Sequence, residues 1–364
     1  MPNLYDAMSV IIDIIFIVVI IFLLFLLVTR IGGVERLVYD LKGFLNGTSG
    51  LPSPFSQSNL SIPQSHNASI PKINQSQLAA YALSLINKDR AQYGLGPVNL
   101  STEPSGQQHA ESMLEYGYFS HWDTYGMKPY MRYTLLGGNG SVTENIAYEQ
   151  SESCTIISCS GNINPEQALQ NMEYNMLYND SACCNNGHRY NILDPNHNEV
   201  SIGVAYNSST IYFVEDFIDN YIAWSSGTPV YSNSGEVFLK GKTSPGYSLS
   251  QIEVSYDPQA QSIPPSSAPQ GSYSYGQGIA GVVSSPLYYY PKLETIAADS
   301  YSVNGSSFNI DFNIKKLISE YGAGEYTTMV FLNGTASGSN MTFVGSTYTV
   351  FINSTGGAYL PSGI

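Results

Sequence analysis

From Asn179 to Tyr206 the chain reads N-D-S-A-C-C-N-N-G-H-R-Y-N-I-L-D-P-N-H-N-E-V-S-I-G-V-A-Y. A Gly-His-Arg step, two adjacent cysteines, a Pro-Asn turn and a strand follow one another without a break. Val200 to Ala205 alternate as one strand and Ile211 to Phe217 as the next, joined by the Asn207-Ser208-Ser209 turn. Upstream, F-S-H-W-D-T-Y-G (Phe119 to Gly126) and T-E-N-I-A-Y (Thr143 to Tyr148) hold the other candidate polar residues. His121 and His188 are far apart in sequence, so a site holding both must be tertiary. Two imidazoles and the Glu144 carboxylate with a vacant position are what an open divalent-metal site needs. Glu144 is alternatively a general base acting on water.

Helices are expected before the hairpin. Leu78, Tyr81, Ala82, Leu85 and Ile86 share one helical face within Ile73 to Tyr93, which stops at Gly94-Leu95-Gly96-Pro97. A second helix is expected over Glu103 to Tyr116, with Gly117 as its stop, and a short one near Tyr130. A further helix starts at Pro165 with Asn164 as cap. Helices followed by a hairpin indicate an α+β domain, placed at 73–223. From 224 to 364 only short strands recur, at Val230–Tyr231, Glu236–Leu239, Gln251–Tyr256, Ser307–Phe312, Tyr326–Leu332, Met341–Val344 and Thr347–Ile352. That spacing predicts an immunoglobulin-like β-sandwich. Pro264–Ser274 reads as a loop or disordered insertion, and Lys315–Tyr321 as one turn of helix.

Ahead of these, a tail at 1–8 precedes a transmembrane helix at 9–29. Ser9 to Val28 is almost wholly apolar and at ~1.5 Å per residue spans roughly 30 Å. A cleaved signal peptide is the alternative, but no Lys or Arg precedes the apolar run. A juxtamembrane helix at 30–45 and a Ser/Pro/Asn-rich linker at 46–72 follow. Arg30, Arg36 and Lys42 would orient the large part inward. Sequons and cysteines argue for outside, and large domains translocate largely regardless of flanking charge.

The net charge is -14 and only 12% of residues are charged, which argues against nucleic-acid binding. Asn-x-Ser/Thr triplets start at Asn46, Asn59, Asn67, Asn74, Asn99, Asn139, Asn179, Asn207, Asn304, Asn333, Asn340 and Asn353. They suggest a glycosylated exterior, one that would also suit an archaeal or acidic milieu. Cys154, Cys159, Cys183 and Cys184 cluster in one region and suggest disulfides. A bridge between neighbours strains the backbone, so Cys183 and Cys184 are expected to pair with Cys154 and Cys159. A zinc site on all four thiolates is the alternative. Arg189 is expected to pair with a carboxylate such as Asp194, and His66, His109 and His197 to lie at the surface.

Ile86-Asn87-x-x-Arg90, Phe119-Ser120-His121, Glu144-Asn145-Ile146, Gly187-His188-Arg189-x-Asn191-Ile192-Leu193 and Ile202-Gly203-Val204 resemble, in order and spacing, the CAP superfamily of SCP-like, cysteine-rich secretory proteins. The Gly-His-Arg-x-Asn-Ile form is closer to the microbial branch. The resemblance covers roughly Ile73 to Asp219. It implies an α-β-α sandwich with a cleft lined by two histidines and acidic residues. His121, His188 and Glu144 would then hold zinc or another divalent metal. The family's further glutamate falls at Asn175 here; Glu173, two residues away, is a weak catalytic candidate, and Asp180 another.

The resulting expectation is a single-pass, glycosylated cell-membrane protein with extracellular C-terminal domains. It would bind a protein, lipid or glycan ligand rather than act as an enzyme. The alternatives are a metal-assisted hydrolase of peptides or cell-wall material with Glu144 as base, and a structural coat component. No Gly-x-Ser-x-Gly, His-Glu-x-x-His or phosphate-binding glycine loop is present.

Overall fold

Leu78, Ala82, Ile86 and Arg90 recur every four residues, and all four are buried along one stripe of the first helix, α1 (Gln75–Gln92). The chain is described here by a computed structural model covering residues 75–154, 159–226, 229–232, 235–336 and 339–361. The expected membrane helix, juxtamembrane helix and linker, the sequons Asn46, Asn59, Asn67 and Asn74, and His66 lie outside these residues. Among the described residues no helix is long and apolar enough to cross a membrane.

Five further helices and a sheet complete the first half of the structure around the site. Helix α2 (Ser105–Tyr116) ends where Gly117 turns left-handed and donates its N–H to Met113 O. Helix α3 (Pro129–Leu135) begins on proline. Helix α4 (Pro165–Tyr178) is capped by the Asn164 side chain, which accepts the Gln167 N–H. Two short turns follow, α5 (Ser181–Cys184) and α6 (Gly187–Ile192). The sheet contains β1 (Asn99–Leu100), β2 (Ser141–Gln150), β5 (Glu199–Tyr206) and β6 (Thr210–Asp219), in the order β1-β5-β6-β2. A small hairpin, β3 (Glu152–Cys154) and β4 (Cys159–Gly161), leaves β2.

Strand alternation divides the core in two. Val200, Ile202, Val204, Phe213 and Phe217 face α1 and α4, while Ala205, Tyr212, Val214 and Ile146 face α2. The result is a three-layer α/β/α sandwich with β2 at one edge. Helix α2 and β5 touch backbone to backbone. A Cβ on Gly203 would stand 1.9 Å from Gly106 O, and one on Gly106 would stand 2.7 Å from Ser201 O.

The second half holds β7 (Ile222–Trp224), β8 (Val230–Tyr231), β9 (Glu236–Thr243), β10 (Ser248–Pro258), β11 (Gln277–Val283), β12 (Glu294–Ala297), β13 (Ser300–Asn304), β14 (Ser307–Asn313), helix α7 (Lys315–Tyr321), β15 (Gly324–Ala336) and β16 (Ser339–Ile352). One sheet runs β12-β11-β10-β15-β16 and the other β13-β14-β9-β7, with β8 pairing to β9. Their inner faces share one core that includes Val237, Leu239, Ile252, Val254, Ile310, Phe312 and Val330. The architecture is thus mixed α+β followed by a β-rich sandwich. Strands β11 to β13 were not visible in the sequence pattern, and the two expected strands Met341–Val344 and Thr347–Ile352 are one strand, β16.

The two described halves pack as one unit. Lys128 Nζ meets Asp257 Oδ1 at 2.7 Å, and the Tyr130 hydroxyl donates to Asp257 Oδ2 at 2.6 Å. Strand β16 reaches back as well. Ser141 Oγ donates to Val344 O, Thr347 N to Gly140 O, and Ser346 Oγ to Asn139 O. The segment 259–276, expected as a loop or disordered insertion over Pro264–Ser274, is a loop pinned along the first half. Ile263 N donates to Thr124 O, Ser120 Oγ to Pro269 O, Gln270 Nε2 to Phe119 O, and Lys128 Nζ to Ser274 O.

Candidate functional site

The site is built on the edge strand β2. Consecutive strand residues point to opposite faces, so Glu144 and Asn145 serve two different layers. Glu144 faces α2 and α3. Its Oε1 lies 2.8 Å from His121 Nδ1, and its Oε2 accepts from Arg132 Nη2 at 2.6 Å. Asn145 faces α4 and α6. It donates to Glu215 Oε2 and His188 O and accepts from Asn191 Nδ2. Asn191 of the Gly-His-Arg-x-Asn run therefore fastens α6 beneath the strand, and His188 is positioned through its own backbone.

Below the strand, His188 Nδ1 lies 2.6 Å from Asp180 Oδ1. Asp180 is buried, and its other oxygen accepts the Arg189 N–H. Each histidine thus presents Nδ1 to a buried carboxylate and keeps Nε2 for something else. The side chains of His121 and His188 are 12% and 16% exposed, so both rings retain an open edge. They are close enough that His188, after burial and ahead of Arg132, helps depress the His121 pKa to about 3. Burial raises Glu144 to about 7 against the pull of Arg132.

Behind the Glu144 dyad sits an acidic cluster with one cation. Arg132 also donates to His121 O and Met127 O, which fixes the loop carrying His121. Asp216, opposite Glu144 on β6, accepts from Ser105 Oγ and is driven well above the usual carboxylate range by burial and by Glu144. Burial likewise raises Glu103 to about 7.

The pinned loop of the second half closes one wall. Tyr273 sets its ring, tilted, 5.0 Å from that of His121, and its hydroxyl accepts the Glu144 N–H at 2.9 Å. An edge-strand amide is thereby satisfied by a residue from the far half of the chain. Tyr273→Phe is expected to cost about 1–2 kcal/mol, because a buried N–H loses its partner. It should also move the His121 ring resonances in a proton–nitrogen NMR spectrum. Unchanged stability and unchanged resonances would show that the contact carries nothing.

Several expectations are corrected. Cys183 and Cys184 bond to each other rather than to Cys154 and Cys159. The β3–β4 ladder sets Cys154 opposite Cys159 across its own hairpin, and α5 keeps its two cysteines in one turn. Arg189 does not pair with Asp194. Its Nη1 donates to Leu177 O, and its guanidinium lies over the Tyr93 ring. Asp194 O is taken instead by Arg90 Nη1, which also reaches Ile192 O. His109 and His197 are buried, not superficial; His109 Nε2 donates to Ser120 O, and His197 Nδ1 meets Asp219. Glu144 stands behind His121, with Oε1 toward that ring and Oε2 toward Arg132. Glu173 lies on the buried face of α4, where burial and then Glu215 push its pKa well up. Asn175, at the family's glutamate position, is exposed.

Sequence reading missed Arg132, Asp216 and Tyr273. The first two left a signal: a lone cation in the apolar helix P-Y-M-R-Y-T-L, and Glu215-Asp216 amid I-Y-F-V-E-D-F-I. A charge in a buried strand is uncommon without a partner.

The three-layer domain that carries the two histidines matches a known family. Residues 83–217 match the family model CAP, the cysteine-rich secretory protein family, and this part of the chain is a CAP domain. Two solved structures are similar at low overlap. An extracellular protein containing an SCP domain from Bacillus anthracis str. Ames is 17% identical, with a TM-score of 0.31, over 40% of this chain and 41% of that one. The CAP domain of enterococcal PrgA is 15% identical, with a TM-score of 0.28, over 40% of this chain and 62% of that one. The match therefore spans less than two thirds of either neighbour. No curated protein matches the chain.

Proposed function

We propose that the CAP domain is an extracellular binding module whose two histidines offer their Nε2 atoms to one divalent metal ion, through which a ligand at the cell surface is held. The observation that carries this reading is the pair of dyads, His121–Glu144 and His188–Asp180. A carboxylate behind Nδ1 fixes ring orientation and raises the basicity of the distal nitrogen, as around protein-bound metals. Bound there, the ion would act as a Lewis acid for a carbonyl, carboxylate or phosphate of the ligand. Ser9–Val28 would anchor the chain in the membrane, and exposed sequons such as Asn99, Asn179 and Asn304 would carry glycans. Binding is preferred over hydrolysis because the Glu144 side chain is buried away from solvent water.

Zinc titration of the full chain in detergent tests this. One equivalent should bind, and His121→Ala and His188→Ala should each weaken it by at least about a hundredfold, while Glu144→Gln and Asp180→Asn weaken it by about 10–100-fold. Absence of binding to the wild type, or affinity unchanged from the wild type in either histidine variant, would remove the reading.

A further inference from the structure

We propose that Asp180, Cys183, Cys184 and His188 form a second, thiol-gated site for a zinc-class divalent cation, closed while the two cysteines are bonded and opened by a reducing thiol. The site shares His188 and its partner Asp180 with the cleft above and does not depend on His121.

One ligand atom from each of the four residues lies within 4.8 Å of all the others. Two thiolates, an imidazole and a carboxylate are a four-donor set suited to tetrahedral zinc. With metal–ligand distances of roughly 2.0–2.3 Å, a tetrahedron needs ligand separations of about 3.3–3.8 Å, so a contraction of about 1 Å suffices. Side-chain rotation supplies it once the S–S bond opens.

The backbone is already folded around this point. Asn185 and Asn186 are both left-handed, at φ 50° and 63°, although neither is glycine. Such conformations cost of order 1 kcal/mol each and persist where surrounding structure enforces them. Here they reverse the chain after α5 and return His188 to Asp180. Asp180 is the hub. Its carbonyl accepts the N–H of Cys184 and Asn186, and its carboxylate faces His188, the Arg189 N–H and Cys183 Sγ at 3.7 Å. Cys183 is exposed, so a reductant can reach it.

The chemistry balances with an external dithiol. Its two thiols become one disulfide as the Cys183–Cys184 bond takes up two electrons and two protons. Each protein thiol then releases its proton when it binds the ion.

Cobalt(II), added to the full chain before and after reduction by a phosphine, reads the site directly. Reduced protein should bind one equivalent with a thiolate-to-cobalt charge-transfer band and release two protons; oxidised protein should show no such band. Cys183→Ser and Cys184→Ser should each abolish or strongly weaken the band. Asp180→Asn should lower affinity about tenfold or more, and His121→Ala should leave the band intact. Far-UV circular dichroism confirms that the variants fold, and Cys183→Ser changes an exposed side chain. The proposal falls if reduced protein shows no band, if the band appears without reductant, if it survives in the Cys183→Ser/Cys184→Ser double variant, or if His121→Ala removes it. Loss of zinc binding in His121→Ala with the cobalt band retained separates this site from the two-histidine cleft.

Discussion

Arg132→Met is expected to cost about 3–5 kcal/mol at pH 7.5 and much less at pH 5. Arg132 is the buried cation facing Glu144, Asp123 and Asp216. Without it, carboxylates ionised near neutrality are left in a medium that cannot solvate them. At pH 5 Glu144, raised to about 7, is largely neutral, and burial shifts Asp123 and Asp216 in the same direction, so less is lost beyond the bonds to His121 O and Met127 O. The wild type should follow the same logic. Glu103, Glu144 and Glu325 each have pKa values raised by burial to about 7, and Asp216 lies well above its usual value. Between about pH 4.5 and 7 the folded state holds more protons than the unfolded one, so stability is full below that window and falls as pH rises through it. His109 and His121, both depressed by burial, work in the opposite direction below about pH 6.5. They are outnumbered by the carboxyls. Urea denaturation at both pH values checks this; equal cost of Arg132→Met at pH 5 and 7.5 would contradict it.

Gly203→Ala should be similarly damaging, at about 3 kcal/mol, the upper end of overpacking. Its new methyl meets the carbonyl of Gly106, 1.9 Å away, and that obstacle is backbone rather than a side chain that can swing aside. Helix α2 would have to lift from β5, taking with it Ser105, which holds Asp216, and His109, which holds Ser120. A melting point lower by roughly 6–12 °C is expected. Gly187→Ala is the control, because nothing lies within 4 Å of its Cβ position. It should change stability by less than about 0.5 kcal/mol. Comparable losses in the two variants would refute the close-approach explanation.

Much of the first half was readable because its rules are local. The four-residue stripe of α1, the Asn164-Pro165 start of α4 and the Gly117 stop of α2 each follow from residues a few positions apart. The Glu-Asn-Ile step became intelligible only in the sheet, where alternation sends Glu144 to His121 and Asn145 to Asn191. Asn87 and Arg90, quoted as motif residues, prove to be fasteners. Asn87 exchanges hydrogen bonds with Val98, and Arg90 reaches the carbonyls of Gly96, Ile192, Asp194 and His197. The rest depended on distant partners. A tyrosine in S-Y-S-Y carries no sign that it will meet an amide 129 residues earlier. Buried His109 and His197 look like any other histidine in a string of letters. The cysteine pairing turned on the short helix α5, which composition does not foretell.

The reach of β16 back to β2 and α3 has a kinetic consequence. Ser141 waits for Val344, 203 residues later, and Thr134 for Thr349, 215 residues later. Contacts so far apart make loop closure slow, and a chain made from its N-terminus forms them last. During synthesis the histidine-bearing layer therefore emerges well before its final supports. Between those moments the β2 edge stands uncovered and open to pairing with another chain, an interval in which a chaperone would be of most use.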